Sequence, residues 1–549
     1  MSNILAPPNP MSHVVPAQTT GITNPSVAKP SRAVDGQFRH TKIIATVGPA
    51  TESPERLGAL ITAGTDIMRL NMAHGSGEWV TSLVKRIREV SQEVKRHVAV
   101  MMDVKGPEIR TGVVEEPIDL QAGEIFEFYT RAREEESEPV VMSARGGPMP
   151  EEVEHIDTGA NGAVSNGAVS NGAPTMTPEA APCRSIDVNY PGLPADVKIG
   201  STVLVDSGLI RMEVLDKTET TVRCRVITPG KLSSRRHINL PGIDVNLPSL
   251  TEKDERDIRV GVAAGVDFFA LSFVRRAEDI AVLRSLLDDL GSKARIIAKI
   301  EDQGGMRNLP GIVKAADAIM VARGDLGIEV DYHTLALAQT RIVDLCLMEG
   351  KPVIIATHLL ESMISAPMPT RAEISDVSTA VRERADAVML SGETTTGLYP
   401  LECVEVLKNI IRTIEPTEKR GINEVIELKE PKSKMLRSAA VLAQELSPSG
   451  IVVFTRSGFL AYTLAALRAV GVPIYAFTDD EGVFRQMLLP WGVEPFLMPF
   501  SPDPETTIQD ALTYLKRRSW CKKGTWLVVI TNVLAHDKIV DTIQVRQVD

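Results

Sequence analysis

From residue 41 onward the chain repeats one pattern: a short run rich in Ile, Val and Met, closed by glycine, charged or hydroxyl residues. The runs are Lys42–Gly48, Asp66–Asn71, Val98–Lys105, Val266–Phe273, Arg295–Asp302, Ala318–Asp325, Pro352–His358 and Ala387–Glu393. Continuous apolar runs of this length suit parallel strands covered on both faces. Helical patterns lie between them. Thr370–Glu373 (TRAE) matches a capping box, followed by Ile374, Val377 and Val381 at helical spacing. Thr251 caps a second predicted helix that carries Ile258 and Val262 on one face and Gly265 near its end, and Val404, Leu407, Ile411 and Ile414 make a further stripe. Strands alternating with helices in this way predict an α/β fold, a (β/α)8 TIM barrel, with its active site at the C-terminal strand ends. Arg69, Asn71, Asp103, Lys105, Lys299, Glu301, Asp325 and Thr357 fall at those ends. Any one of them could be an ordinary polar loop residue; charge at most of the ends together points to chemistry.

Two further units interrupt or follow the barrel pattern. About 160 residues separate the third and fourth runs, far beyond a normal loop. Residues 113–236 contain alternating or β-branched stretches such as Glu124–Tyr129, Thr202–Val205 and Thr221–Ile227, which predict an inserted β-rich, barrel-like lid domain. The barrel is then 38–112 together with 237–416. Inside the insertion, residues 155–180 carry a period-five Asn-Gly-Ala-Val-Ser repeat, read as a flexible loop. From 417 to 549 the order helix (Met435–Leu446), strand (Gly450–Phe454), helix (Phe459–Val470), strand (Pro473–Phe477) and late strand (Trp526–Thr531) predicts an open α/β domain of effector type. Residues 1–37 are proline-rich and poor in charge, and are expected to be a disordered extension rather than a secretory signal.

Composition narrows the partners. A net charge of −11 argues against nucleic acid, and 4% aromatics argues against base-stacking platforms. No apolar run approaches the roughly 20 residues of a membrane helix. The five cysteines, Cys183, Cys224, Cys346, Cys403 and Cys521, are widely spread with no CxxC pair, which predicts a reducing, cytoplasmic setting.

Phosphoryl transfer needs positioning and positive charge around a group that spreads negative charge over its oxygens. Lys299 and Arg69 are cations on different predicted strands that could converge on one such group; the alternative for Lys299 is an ion pair with Glu301 on the same strand face. Glu301 and Asp325 supply oxygen donors for a hard cation. Gly324 and Asp325 are expected to open a short turn whose bare N–H groups could bind a carboxylate, with no Cβ at Gly324 to obstruct the approach. No Walker A or GxGxxG pattern occurs. Thr455-Arg456-Ser457-Gly458 follows a strand and opens a helix, which reads either as a phosphate nest or as a capped turn.

The segments TKIIATVGPA (Thr41–Ala50), RLNMAHG (Arg69–Gly75), DVKGPEIRTG (Asp103–Gly112), INLPG (Ile238–Gly242), AKIED (Ala298–Asp302), VARGDLGIE (Val321–Glu329), ATHLLESM (Ala356–Met363), PTRAE (Pro369–Glu373) and LSGET (Leu390–Thr394) closely resemble pyruvate kinase, in the family's order. The resemblance implies phosphoryl transfer from phosphoenolpyruvate to ADP, giving pyruvate and ATP, by a cytoplasmic homotetramer. It implies that Lys299 and Arg69 hold the transferring phosphoryl group, with Gly324 and Asp325 at the substrate. Thr357 either helps protonate the enolate or only orders the site; a threonine hydroxyl is a poor acid, so a relay through water suits the first role better than direct donation. Glu301 and Asp325 hold Mg2+. Pro49, His74, Arg110 and Arg235 reach the nucleotide, Arg235 and Arg236 standing where the family has lysines; His74 could equally be a packing histidine. Asn71, Asp103 and the Val104 carbonyl hold K+.

Departures bear on the last points. Ala73 removes one K+ ligand, while Glu108 stands where K+-dependent members carry glutamate, so K+ activation of weakened affinity is expected. His358 replaces a usual glutamine. Leu460 replaces a Ser/Thr of the loop in sugar-phosphate-regulated members, so Thr455–Gly458 implies a phosphorylated effector without naming it. Two other readings stand beside the first: another phosphoenolpyruvate/pyruvate barrel, or an inactive sugar-phosphate-sensing homologue.

Overall fold

The computed structural model describes residues 38–130, 183–417, 426, 428, 430–446, 449–535 and 538–549, with side chains of 532–539 left aside. The N-terminal extension and the Asn-Gly-Ala-Val-Ser repeat lie outside the described residues.

All eight apolar runs are barrel strands. Lys42–Thr46, Ile67–Asn71, Ala99–Val104, Phe268–Leu271, Arg295–Ile300, Ala318–Ala322, Val353–Ala356 and Ala387–Leu390 close into one parallel barrel, each beside its neighbours in sequence, and the eighth pairs with the first. Side chains alternate across a strand with period two, so each strand sends every second residue inward. The inward set at the lower and middle levels is apolar: Ile44, Ile67, Met101, Phe268, Ala270, Ile297, Met320, Ile354 and Met389. Two residues further along the same faces, the inward set turns polar: Ile67 leads to Arg69, Met101 to Asp103, Ala270 to Ser272, and Ile297 to Lys299 and then Glu301. The outward faces pack under the helices, which begin as the sequence asks. Thr370 and Glu373 form a reciprocal capping box on Arg371–Arg382, and Thr251 with Asp254 does the same on Glu252–Ala263.

The inserted segment has its own core, built from residues such as Phe126, Phe128, Val203, Met212, Val222 and Val226. Its strands make a six-stranded mixed sheet and a two-stranded one. The chain crosses into it and back at adjacent points, where Arg110 bridges His237 and Arg110 Nη1 donates to the Arg235 carbonyl at 2.8 Å.

The C-terminal domain is a five-stranded sheet, parallel except for its last strand, Lys538–Gln547. It closes the bottom of the barrel. Leu488 and Leu489 join the apolar cluster of the barrel interior. Around this plug, the fully buried Asp386 accepts from Trp491 N at 2.8 Å, Val353 N at 2.9 Å and Arg468 Nη2 at 2.5 Å. Lys42 Nζ donates to the Val493 carbonyl at 2.6 Å, and Arg485 Nε to Asp267 at 2.7 Å.

Removing one partner of a buried ion pair strands the other charge. Arg468→Met is expected to cost about 3–5 kcal/mol, read as a fall in the urea midpoint. An unchanged midpoint would mean that Asp386 does not depend on Arg468.

Candidate active site

The polar layer above the apolar barrel interior is a chain of alternating charges. Arg69 donates from Nε to Asp103 Oδ2 at 2.8 Å, with Nη2 at 2.6 Å from the same oxygen and Nη1 at 3.0 Å from Thr46 Oγ1. Asp103 Oδ1 lies 3.2 Å from Lys299 Nζ, which pairs with Glu301 Oε1 at 2.8 Å and donates to Ser272 Oγ at 2.8 Å. The second Glu301 oxygen accepts from Phe273 N at 2.6 Å. Ser272 gives its own proton to the Val104 carbonyl at 2.8 Å, with Asp103 Oδ1 a more distant 3.3 Å away. Four strands thus meet through one carboxylate and one hydroxyl.

Burial works against charge on Lys299, but the Asp103 and Glu301 carboxylates outweigh it and hold the ammonium well above the usual lysine range. Burial also opposes charge on Asp103, yet Lys299 and Arg69 keep its carboxyl low. Glu301 is pushed upward by burial, against the pull of Lys299 and with the Asp325 charge adding to the rise. We take Glu301 as ionised, because one of its oxygens pairs with the Lys299 ammonium and the other accepts from the Phe273 N–H. The ion pair of Lys299 with Glu301 is present, and Lys299 also shares the Asp103 carboxylate with Arg69.

Asp325 differs from the rest. Among the described residues its half-buried carboxylate makes no hydrogen bond or ion pair, although it is close enough to raise Glu301. No group of three or more His, Cys, Asp or Glu that could hold a metal occurs among the described residues. The protein's offer to a hard cation is therefore an unpaired carboxylate beside a buried one, with waters and substrate oxygens left to complete the shell. That donor set fits Mg2+ chemistry.

The expected open turn at Gly324 and Asp325 is a short helix, Arg323–Glu329, and the Gly324 N–H is not bare. It donates to Thr357 Oγ1 at 2.7 Å, and Thr357 Oγ1 donates in turn to the Ala356 carbonyl at 2.7 Å. Thr357 follows the seventh strand with φ +64°, and His358 has φ +54°. Two successive non-glycine residues in the left-handed region, one of them β-branched, store about 1–3 kcal/mol each. His358 is exposed, 3.6 Å from Glu361, and touches none of the cluster.

The remaining positions lie on the rim. Pro49 and Arg235 are exposed, and so is His74, which excludes the packing alternative. Gly48 lets this rim close, since a Cβ there would meet the Thr395 methyl at 2.3 Å. Arg110 Nε donates to Glu108 at 2.6 Å, and Glu108 also pairs with Lys105 at 3.3 Å, which brings Arg110 and Arg235 together beside the domain crossing. Asn71 Oδ1 accepts from Ala73 N at 3.2 Å. The structure thus turns the oxygens of Asn71, Asp103 and Val104 largely toward the protein's own donors. At the far end of the molecule, Thr455 Oγ1 accepts from Gly458 N at 3.0 Å, Ser457 Oγ faces Phe459 N at 3.4 Å, and Arg456 reaches Asp479 at 3.3 Å. Two of the N–H groups at the start of the helix, Gly458 and Phe459, thus already face side-chain oxygens of the same loop.

Two contributors escaped the sequence reading. Ser272 lies in the fourth run, two residues beyond an inward alanine, and period-two counting from Ala270 would have found it. Arg323, inside VARGD, is buried and carries no local signal of where its guanidinium goes.

A closed parallel barrel whose mouth holds buried cations, an unpaired carboxylate and an inserted domain defines an α/β-barrel phosphotransferase. Comparison with known proteins gives the family. The family models for the pyruvate kinase barrel domain and the pyruvate kinase alpha/beta domain match residues 38–171 with 173–404, and 433–546. Plastidial pyruvate kinase 2 of Arabidopsis thaliana is 37% identical over 517 residues, spanning 93% of this chain and 81% of that protein. The chloroplastic pyruvate kinase isozyme A of Ricinus communis is 36% identical over 516 residues, spanning 90% and 81%. The crystal structure of a pyruvate kinase from Cryptosporidium parvum superposes with a TM-score of 0.79 at 30% identity, covering 93% of this chain and 96% of that one. The chain belongs to the pyruvate kinase family.

The same comparisons overturn the cytoplasmic expectation, since the two plant relatives are plastidial and chloroplastic proteins. Five free cysteines speak for a reducing surrounding, and a reducing surrounding is not an address.

Ser272 ties Lys299 to the third strand, so Ser272→Ala is expected to lower kcat about tenfold while the KM for phosphoenolpyruvate moves less than about threefold. Steady-state kinetics decide it; an unchanged kcat would show that the carboxylates alone hold Lys299.

Proposed function

We propose that this pyruvate kinase works through the charge chain at its barrel mouth. As a member of its family it transfers the phosphoryl group of phosphoenolpyruvate to ADP. The P–O bond to the enol oxygen breaks, a terminal ADP oxygen takes the phosphorus, and the enolate carbon takes a proton to give pyruvate. Arg69 and Lys299 grip the phosphoryl group, and Lys299 follows its charge as that charge spreads over the oxygens. The observation that carries this reading is their anchoring on opposite oxygens of one buried carboxylate, Asp103, which fixes two cations side by side without neutralising both. Glu301 and Asp325 hold Mg2+, which supplies charge neutralisation at the substrate oxygens when bound. Gly324 and Asp325 lie along the substrate carboxylate. Thr357, already hydrogen-bonded on both sides, serves the proton at the enolate carbon as a relay rather than as a free acid.

His74, Arg110, Arg235 and Pro49 are assigned to ADP, on the support of their grouping around the rim and the domain crossing. K+ is kept as an activator of weak affinity: Asn71, Asp103 and Val104 retain lone pairs, but Arg69, Lys299 and Ser272 already use part of them. No effector is assigned to Thr455–Gly458, where the Gly458 and Phe459 N–H groups already face Thr455 and Ser457 oxygens. Exposed Tyr332 and Leu337 on neighbouring turns support assembly with further copies.

ATP formation from phosphoenolpyruvate and ADP with Mg2+ tests the reading. Lys299→Met should lose on the order of 10³-fold or more in kcat, and turnover of the wild type should rise saturably with K+. A loss below about tenfold would remove Lys299 from transition-state stabilisation, and a flat K+ response would remove K+.

A further inference from the structure

The left-handed backbone at Thr357 is gripped by a buried arginine. Arg323 lies directly after the sixth strand, and its side chain turns back under the end of the seventh. Its Nε lies 3.2 Å from both the Ala356 and Thr357 carbonyls, and its Nη2 donates to the Thr357 carbonyl at 2.6 Å. Nη1 holds the other end, donating to Asp376 at 2.7 Å and facing Gln339 at 3.4 Å. Gln339 is itself tied to Glu383 at 2.7 Å. Arg323 as a whole is 6% exposed, and the hydrogen bonds of its guanidinium all go to other protein groups. Its planar fork presents two donors to one carbonyl and a third to a carboxylate, a geometry that a lysine ammonium does not reproduce. Arg323 thus holds the Thr357 carbonyl, while the Thr357 hydroxyl lies between the Gly324 N–H and the Ala356 carbonyl.

We infer that Arg323 is a positioning residue for the proton step: it holds the Thr357 backbone in the left-handed conformation that places the hydroxyl at the reacting carbon. The inference rests on the relay role given to Thr357. It separates Arg323 from Arg69 and Lys299, which act on the phosphoryl group. Loss of the clamp should therefore impair proton transfer at the methyl carbon more than substrate binding.

The partial reaction that reads this is exchange of the pyruvate methyl protons with solvent. A methyl C–H bond breaks to give the enolate and a proton, and a solvent deuteron returns to the same carbon. Full-length enzyme with Mg2+, K+ and ATP in D2O is followed by NMR of the pyruvate methyl group, beside steady-state kinetics with phosphoenolpyruvate. Arg323→Met should slow exchange at least about tenfold, with the KM for phosphoenolpyruvate within about threefold of wild type. Arg323→Lys should recover only part of the rate. The double variant with Thr357→Ala should exchange within about threefold of Thr357→Ala alone, because both act through one hydroxyl. Unchanged exchange in Arg323→Met overturns the inference, as do losses that multiply in the double variant, or exchange and KM worsening together. Should Arg323→Met fail to fold, Asp376→Asn releases only the outer end of the clamp at a partly exposed position. It should slow exchange in the same direction by less, and no slowing overturns the inference. Wild-type exchange in Thr357→Ala would instead overturn the relay itself, and the inference with it.

Discussion

Everything at the mouth of this barrel depends on the sharing of one buried carboxylate. Asp103 has almost no contact with solvent, and ionised carboxylates are expensive to bury alone. Arg69 on one side and Lys299 on the other make its charge tenable, and Asp103 in turn keeps two cations a few ångströms apart. Glu301 extends the chain and Asp325 ends it with a carboxylate that no group among the described residues pairs. The outcome is a line of charge that is balanced inside the barrel and unbalanced at its rim, where the proposed reading places a metal ion and the anionic substrates. A chain with net charge −11 cannot rely on its global field to gather such substrates, so the field has to be local.

That line can be accurate because its supports are stiff. Arg69, Asp103 and Lys299 each stand two positions beyond an apolar residue packed in the barrel interior, so packing below fixes direction above. The bottom of the same interior is sealed by Leu488 and Leu489 from the C-terminal domain. One strand joins the two ends. Arg295, at its start, stacks on Tyr462 with the guanidinium 4.2 Å from the ring centre and donates to the Ser457 carbonyl at 3.0 Å, and Lys299 lies at its other end. The eighth strand is held from below in a similar way, through Asp386.

Much of this was legible in the sequence, for physical reasons that also mark the limits. Parallel strands buried on both faces leave continuous apolar runs, so all eight barrel strands could be read, with ends trimmed by one to a few residues. Charged residues at strand ends stood out against that background, and Lys299, Glu301, Arg69 and Asp103 do meet. In the C-terminal domain, the strand Val493–Leu497 was missed because Glu494 and Pro495 break its apolar run. Ser272 was hidden by being small and uncharged. The path of Arg323 depends on a contact between consecutive strand ends that no local pattern encodes, and so does the hydrogen bond that occupies the Gly324 N–H. The cytoplasmic reading failed differently: reduced cysteines report redox chemistry, and several compartments share it.

Sharing of Asp103 by the two cations is measured most directly by a double-mutant cycle in kcat with Asp103→Asn and Lys299→Met. If Asp103 acts by holding Lys299 beside Arg69, the losses overlap, and the double variant loses at least about tenfold less than the product of the two single losses, with any loss beyond Lys299→Met reporting the freed Arg69. Losses that multiply would contradict a common anchor and leave the two residues acting independently.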